Sequence, residues 1–533
     1  MVRKSVVLLL VALLSAMSVS LRAQDKNAMS VYKVARFIQY LSTDYVDTIN
    51  TSKIVEKAIV DMLGQLDPHS FYISREDVQA ANEPLEGNFE GVGVEFNILH
   101  DTLIVVNPVP AGPSEKAGIT AGDRIISVDG KIIAGIGLKN SDVFKLLRGP
   151  KGTKVIVTVL RRGVADNLEF TITRDKIPIH SLDASYMLAP KIGYIRLNRF
   201  ALTSEEEFVT ALLSLQKEGM KDLVLDLRGN GGGYLNAAVA MADHFFEKNN
   251  LLVFTEGRNN PRTEYVSSPG GLFTKGKVVV LIDEGSASAS EILAGAIQDW
   301  DRGIVIGRRS FGKGLVQNQM PLPDGSMIRL TVARYHTPSG RVIQRPYNNG
   351  EVENYYKDLY ARYSNGEVYH RDSIIFPDSL KYFTLHKKRV VYGGGGIMPD
   401  LFVPIDTSFY SDYYGKLIRT GVMNQFTLNW IDANRQDLAN RYPDFKRFDS
   451  NFEVTDHMLN QIVELAKNQK VELDEKGLET SQMEIRKQVK ALIAQSLFST
   501  GHYFRIVNKD NTTVQKALNV LQNWKQYNNL VQE

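Results

Sequence analysis

The chain has 533 residues, 43% of them hydrophobic, which is enough for sizeable cores in three or four domains. Its 63 lysines and arginines nearly balance 60 aspartates and glutamates, a formal charge of +3, so no electrostatic argument supports a nucleic-acid partner. It has no cysteine, which excludes disulfides, thiol catalysis and lipid attachment through a thiol. Without zinc-type Cys/His spacing or an HExxH pair, no metal or other cofactor is expected.

Arg3 and Lys4 precede an apolar segment from Val6 to Leu14, then small residues and Leu21-Arg22-Ala23-Gln24. This is the pattern of a secretory signal peptide cut after Ala23, with Leu21 an imperfect fit to the small-residue rule. Export to a periplasm is therefore expected. The alternative is an uncleaved anchor that leaves the chain membrane-associated, though the segment is short for a spanning helix. Residues 24–85 have helical spacing, with one stripe of Val31, Val34, Ala35, Ile38 and Leu41 and another of Ile54, Val55, Ala58, Ile59 and Met62. Asp67-Pro68-His69-Ser70 breaks the second stripe, and His69 beside a proline reads as a turn residue without chemistry.

Over 86–175 the texture changes to short β-branched runs between glycine turns, with one helix over 141–147. This predicts a compact, partly open β-barrel with a helix at its edge. Gly112 to Gly118 and Gly122 to Gly130 resemble a PDZ domain. The matching loop before a strand is Glu90-Gly91-Val92-Gly93-Val94, which taken alone is an ordinary turn. Glycines there let backbone approach an anion with no Cβ in the way.

From residue 176 strands alternate with helices, which predicts an α/β layer architecture. Asp222 to Asp226 reads as a buried strand leading into Leu227-Arg228-Gly229-Asn230-Gly231-Gly232-Gly233. The triple glycine lacks the lysine and hydroxyl of a P-loop, so it is either a tight turn or bare N–H groups facing an active site. Val278 to Ile282 is a second buried strand, and it runs through Asp283-Glu284-Gly285-Ser286-Ala287-Ser288 into apolar positions of helical spacing at Ile292, Leu293, Ala296 and Ile297. An abrupt strand-to-helix turn presents a side chain beside unsatisfied N–H groups, a place for a nucleophile and an oxyanion. Ser288 with Glu291 equally spells a capping box, and on this stretch alone the cap is the better reading. Lys313, between Gly312 and Gly314, reads locally as a solvated lysine. Residues 347–392, rich in tyrosine and charge, read as a lid-like insertion, and 407–533 as polar helices without recognisable chemistry.

Taken together these stretches resemble the C-terminal processing peptidases, or tail-specific proteases, of serine peptidase family S41. The resemblance runs from about Met29 to Asp406 and rests on Leu66 to Ser70, the PDZ motifs, Asp226 to Gly233, the SASASE turn, Gly312-Lys313-Gly314, Tyr335 to Arg341 and Gly396 to Asp400. It implies an α/β multi-domain protein with a ClpP/crotonase-like S41 core over 176–406 and an inserted PDZ domain over 86–175. An N-terminal helical region over 24–85 and a C-terminal helical extension over 407–533 flank them, after a signal peptide over 1–23. It further implies an exported Ser/Lys endopeptidase with Ser288 as nucleophile, Lys313 as general base and Gln317 orienting the lysine. The oxyanion would be held by the N–H of Ala289 and one from the triple glycine, placed on Gly232 although Gly231 and Gly233 stay open. Gly91, Val92 and Gly93 would hold the substrate's terminal carboxylate, so the expected partners are proteins or peptides with free, apolar C-termini. The C-terminal helices are a candidate surface for a homo-oligomer or an adaptor.

An ordinary lysine, with a pKa of about 10.4, is protonated at neutral pH and accepts no proton from serine. A lysine base must therefore be buried and free of a carboxylate partner, which is the expectation for Lys313. Two alternatives remain at this stage: a Ser288–His336 triad, and a binding protein without catalysis on the same fold. Gating of the core by movement of the PDZ module is a further expectation, from its place between the N-terminal helices and the core.

Overall fold

The computed structural model describes residues 28–531, so the expected signal peptide and its expected cut after Ala23 lie outside the described residues. Residues 28–43 and Thr51–Leu63 are helical, the second capped by Asn50, whose side chain accepts from the Lys53 N–H. Their apolar stripes are open: Val31 and Val34 are 72% and 51% exposed. Among the described residues no helix is long and apolar enough to cross a membrane.

The centre is a six-stranded sheet in the order Leu182–Ala189, Ile192–Leu197, Asp222–Asp226, Val278–Ile282, Ile304–Gly307 and Leu401–Phe402. The first pair is antiparallel and the other four pairings are parallel. A parallel sheet must be covered on both faces, and its strands alternate side chains between them. On one face Leu223, Leu225, Val278, Val280 and Ile282 pack against the helices Ser204–Lys217, Leu235–Asp243 and Ala289–Asp299. On the other, Val224, Val279, Leu281 and Ile306 pack against Val514, Ala517, Val520 and Leu521 of the helix Thr512–Gln522. The last helix of the C-terminal extension is therefore part of the core.

The PDZ domain is a sheet of Val94–Leu99, Thr102–Pro108, Arg124–Val128, Lys154–Leu160 and Leu168–Thr173, with the helix Asn140–Leu147 beside it. Its entry and exit are zipped into a neck, Asn88–Gly91 antiparallel to Asp175–Pro178. The helices from Asp412 to Val507 have a core of their own and dock on the PDZ sheet through the Arg124–Asp432 ion pair, at 2.6 Å. A second sheet, in which Leu315–Pro321 and Phe71–Ile73 both pair with Met327–His336, borders the cleft at Ser288.

The segment over 347–392 is a buttress where a lid was expected. Arg362, in the helix Val352–Ser364, is 2% exposed and donates to the carbonyls of Ser310 and Phe311, at 2.8 and 3.1 Å. Those carbonyls belong to the loop that carries Lys313.

Asp226, at the end of its strand, is fully buried. It accepts from Tyr194 Oη at 2.6 Å, from Arg196 at 2.9 Å and from Arg228 Nη2 at 2.7 Å. Burial pushes this carboxyl up, but the guanidiniums of Arg228 and Arg196 outweigh it and hold the group well below the usual carboxylate range. Removing one partner of a buried ion network leaves uncompensated charge. Asp226→Asn is expected to lower unfolding stability by about 3–5 kcal/mol in chemical denaturation, and a loss under about 1 kcal/mol would refute this reading.

Candidate active site

Ser288 stands where the strand Val278–Ile282 turns into the helix Ala289–Asp299, every residue of which is buried. Its φ of 55° is unusual for a residue with a Cβ, and such strain persists only where the surroundings over-determine it. Here the turn is clamped from several sides. Ser286 Oγ donates to the Leu227 carbonyl at 2.8 Å, Ala287 N–H to the Asn230 carbonyl at 3.0 Å, and Ser290 Oγ to the same carbonyl at 2.8 Å.

Ser288 and Glu291 stand in the relation of a capping box, and the Glu291 half does more than cap. Its carboxylate accepts from Ser288 N–H at 2.7 Å, Gly312 N–H at 2.7 Å, Lys313 N–H at 2.9 Å and Ser310 Oγ at 2.5 Å. One fully buried carboxylate thus joins the serine turn to the lysine loop. Tyr335 Oη forms a second clamp, within 3.1 Å of the Ser288 carbonyl and 2.5 Å of the Lys313 carbonyl.

Lys313 is half-buried, and its Nζ donates to Gln317 Oε1 at 3.0 Å, with no ion pair among the described residues. Burial, then the Arg329 guanidinium, push its pKa below the ordinary lysine value against the pull of Asp67 and Glu291. A bulge between Val316 and Gln317 in the pairing with Met327–His336 marks where the strand is re-aimed. Gln317 Nε2 donates to the His69 carbonyl. A carbonyl only accepts, so this bond fixes the amide with its oxygen toward the lysine.

The turn expected to be inert, Asp67 to Ser70, therefore backs the site. Asp67 accepts from His69 N–H at 2.9 Å, Ser70 N–H at 3.0 Å and Thr331 Oγ1 at 2.9 Å. Burial, then the Lys313 charge, lower the His69 pKa to about 3, so its neutral ring sits 3.1 Å from Tyr355 Oη. The signal for these roles lies in residues more than two hundred positions away, where local patterns do not reach.

Ser288, Lys313, Gln317 and Gly231 to Gly233 line one cleft of about 520 Å³. Among the described residues no hydrogen bond joins Lys313 Nζ to the Ser288 hydroxyl. At Gly232 the φ is +99°, and a Cβ would lie 2.8 Å from Ser288 Cβ, so only glycine fits. The Gly232 N–H, expected to hold an oxyanion, instead donates to Asn230 Oδ1 at 2.9 Å. Asn230 is turned this way because its Nδ2 is committed to the Leu197 carbonyl at 3.0 Å. The N–H groups of Ala289, Gly231 and Gly233 have no partner among the described residues.

His336 is stacked on Phe254 with ring centroids 4.4 Å apart, and its Nδ1 lies 3.1 Å from the Gly340 carbonyl. No hydrogen bond among the described residues brings it to Ser288. In the PDZ domain Gly91 ends the neck strand opposite Asp175. Val92 and Gly93 form the loop, where Ser114 donates to the Val92 carbonyl and the N–H groups of both residues are without a partner among the described residues. None of the three lines the Ser288 cleft. Among the described residues no group of three or more His, Cys, Asp or Glu is placed to hold a metal ion.

Burial pushes Glu291 up to about 7 against its four donors. A carboxyl whose folded pKa is raised binds protons more readily in the folded state, so its contribution is full below about 4.5 and is lost as pH rises through about 7. Glu291→Gln is expected to flatten that fall in unfolding stability between pH 5 and 8. It also replaces one accepting oxygen with a donor facing an N–H group, so catalytic rate should drop about 10- to 100-fold. An unchanged rate and an unchanged pH slope would refute this reading.

The model of Peptidase family S41 matches residues 191–352, that of a PDZ domain residues 104–161, and that of a family of unknown function residues 413–499. The chain is 36% identical over 337 residues to the carboxy-terminal processing protease CtpB of Bacillus subtilis (strain 168), covering 62% of this chain and 69% of that one. It is 38% identical over 356 residues to the carboxy-terminal-processing protease of Bartonella bacilliformis, covering 64% and 81%. Among solved structures it is similar to a photosystem II D1 C-terminal processing protease, 34% identical, covering 57% of this chain and 82% of that one with a TM-score of 0.33. With an S41 core, a PDZ domain and this extent of identity, the chain belongs to peptidase family S41, as a serine peptidase of the carboxy-terminal processing protease group.

Proposed function

We propose that the chain is an exported endopeptidase that captures a protein by its free C-terminus on the PDZ loop and cleaves near that end by a Ser288–Lys313 dyad. The observation that carries this reading is a half-buried lysine with no carboxylate partner among the described residues, held by Gln317, in one cleft with a serine on a strained strand-to-helix turn.

In the reaction, neutral Lys313 takes the proton of Ser288 as Oγ attacks the scissile carbonyl. The same amine then returns that proton to the leaving nitrogen. Water attacks the acyl-enzyme in the second half, with Lys313 again as base. No Nζ–Oγ hydrogen bond is made among the described residues, and on this reading the dyad closes when substrate fills the cleft. The oxyanion falls to the Ala289 N–H together with that of Gly231 or Gly233, or of Gly232 once Asn230 releases it. Losing one such donor costs about 3–4 kcal/mol in the transition state. Val92 and Gly93 N–H groups receive the tail carboxylate, and apolar tails suit an apolar PDZ groove.

The test is mass spectrometry of a model protein with an apolar tail, free or amidated, incubated with the chain lacking residues 1–23. Cleavage is expected from the parent and should weaken on amidation. It should vanish in Ser288→Ala, Lys313→Ala and Lys313→Arg, the last because guanidinium stays protonated. Persistent cleavage in these variants would sink the dyad. Since the base must lose its proton, kcat/KM should rise with pH through an inflection below the ordinary lysine range, and a rate that falls across that range would contradict the assignment. Export is read from Arg3 to Ala23; a periplasmic product beginning at Gln24 is expected, and a cytoplasmic one keeping Met1 would overturn it.

A further inference from the structure

The strand Val94–Leu99 is the edge of the PDZ sheet and is hydrogen-bonded only to Thr102–Pro108 among the described residues. Val92 and Gly93, with their unpartnered N–H groups, stand directly before it. A tail whose carboxylate rests on that loop runs along this free edge as an added strand. The side chains of an added strand alternate between two faces.

One face is the groove of the PDZ domain itself, where Val94, Phe96 and Ile98 turn inward and Phe96 meets Phe144 of the helix Asn140–Leu147 with ring centroids 5.7 Å apart. The other face belongs to Glu95 and Asn97. In this chain it looks onto the C-terminal helices Val422–Arg441 and Glu475–Leu497. Leu99 and Ile104 on that face are only 5% and 7% exposed. The helices are held there by the Arg124–Asp432 pair and by Asn107 Nδ2, which donates to the Ser496 carbonyl at 3.3 Å.

Between strand and helices lies a cleft of about 300 Å³, bordered by Glu95, Asn97, Asn424, Thr427, Leu492 and Gln495. Thr427 is 3% exposed and its hydroxyl has no hydrogen-bond partner among the described residues. A buried hydroxyl is normally satisfied, so this one is suited to a polar group that arrives with a ligand. Glu95 is the one acidic side chain on the lining.

We propose that this cleft is a second specificity subsite, which receives the penultimate side chain of a protein tail added to the edge strand and favours a hydrogen-bond donor over an acidic group. The terminal residue then faces the PDZ groove and the penultimate one faces the C-terminal helices, so the extension takes part in substrate choice. The inference rests on the reading that Val92 and Gly93 hold the tail carboxylate.

The test is fluorescence anisotropy with labelled heptapeptides on the full chain carrying Ser288→Ala, which prevents cleavage. The peptides end in the same apolar residue and differ at the penultimate one: Gln, Lys, Ala or Asp. Gln and Lys are expected to bind about 3- to 10-fold more tightly than Ala, the value of one hydrogen bond, and Asp more weakly than Ala. Thr427→Val keeps the side-chain shape and should bring the Gln-to-Ala ratio to about one. Glu95→Gln should remove the penalty on Asp. Equal affinities for the four peptides, or a Gln-to-Ala ratio untouched by Thr427→Val, would overturn the subsite. If amidated peptides bind as well as free ones, the carboxylate reading fails and the subsite with it. If amidation abolishes binding but the penultimate residue has no effect, the subsite alone fails.

Discussion

The Ser288 turn and the Lys313 loop meet on the carboxylate of Glu291. Ser288 comes from the end of a parallel strand and Lys313 from a glycine-flanked loop 25 positions later, and side chains so placed have no intrinsic reason to stay in register. The buried carboxylate supplies one by accepting the backbone N–H of both residues, and that of Gly312 as well. Because it grips main chain, it fixes where the two residues stand and leaves their side chains free for chemistry. Burying a carboxylate is costly, and the donors converging on it are what make the arrangement sustainable.

Everything around this junction acts to keep it in place. Arg362 holds the lysine loop from behind, Tyr335 bridges the two carbonyls, and the Asp67 to Ser70 turn aims the Gln317 amide. Gly232 must be bare because it passes against Ser288 itself. The electrostatics are segregated. Asp226 is neutralised by Arg196 and Arg228 at the strand end, whereas Lys313 has no such partner among the described residues and loses basicity through its burial. A stabilising ion network and a destabilised ion thus occur in one fold, separated by what each carboxylate is allowed to reach.

What was legible in the sequence was what is local. The run Val278 to Ile282 announces a strand covered on both faces, and all five residues are buried. The glycine punctuation of the PDZ domain and the SASASE turn were equally readable. The strand Leu182–Ala189 is not legible in the sequence, because it is an edge strand interrupted by Asp183 and Ser185 and shows no clean alternation. Glu291 was visible only as a helix cap, since its cap partner is three residues away while Gly312 lies 21 away. His69 looked like a bare turn because its partners, Gln317 and Tyr355, lie 248 and 286 positions distant. Lys313 read as solvated for the same reason: what buries it is not in its neighbourhood of the chain. The Gly232 N–H went to Asn230, a competition that residue type alone does not decide.

These separations also fix when activity can arise during synthesis. Thr331 reaches Asp67 across 264 residues, and the second face of the central sheet is covered only by the helix Thr512–Gln522. At roughly 5–20 residues per second, a ribosome needs on the order of 10–50 seconds to bring Gln317 out after His69, and the covering helix follows later still. Contacts of such range are also the slowest to close. Ser288, Lys313 and Gln317 thus emerge close together, whereas the helix that covers the second face of the sheet beneath them is made only later.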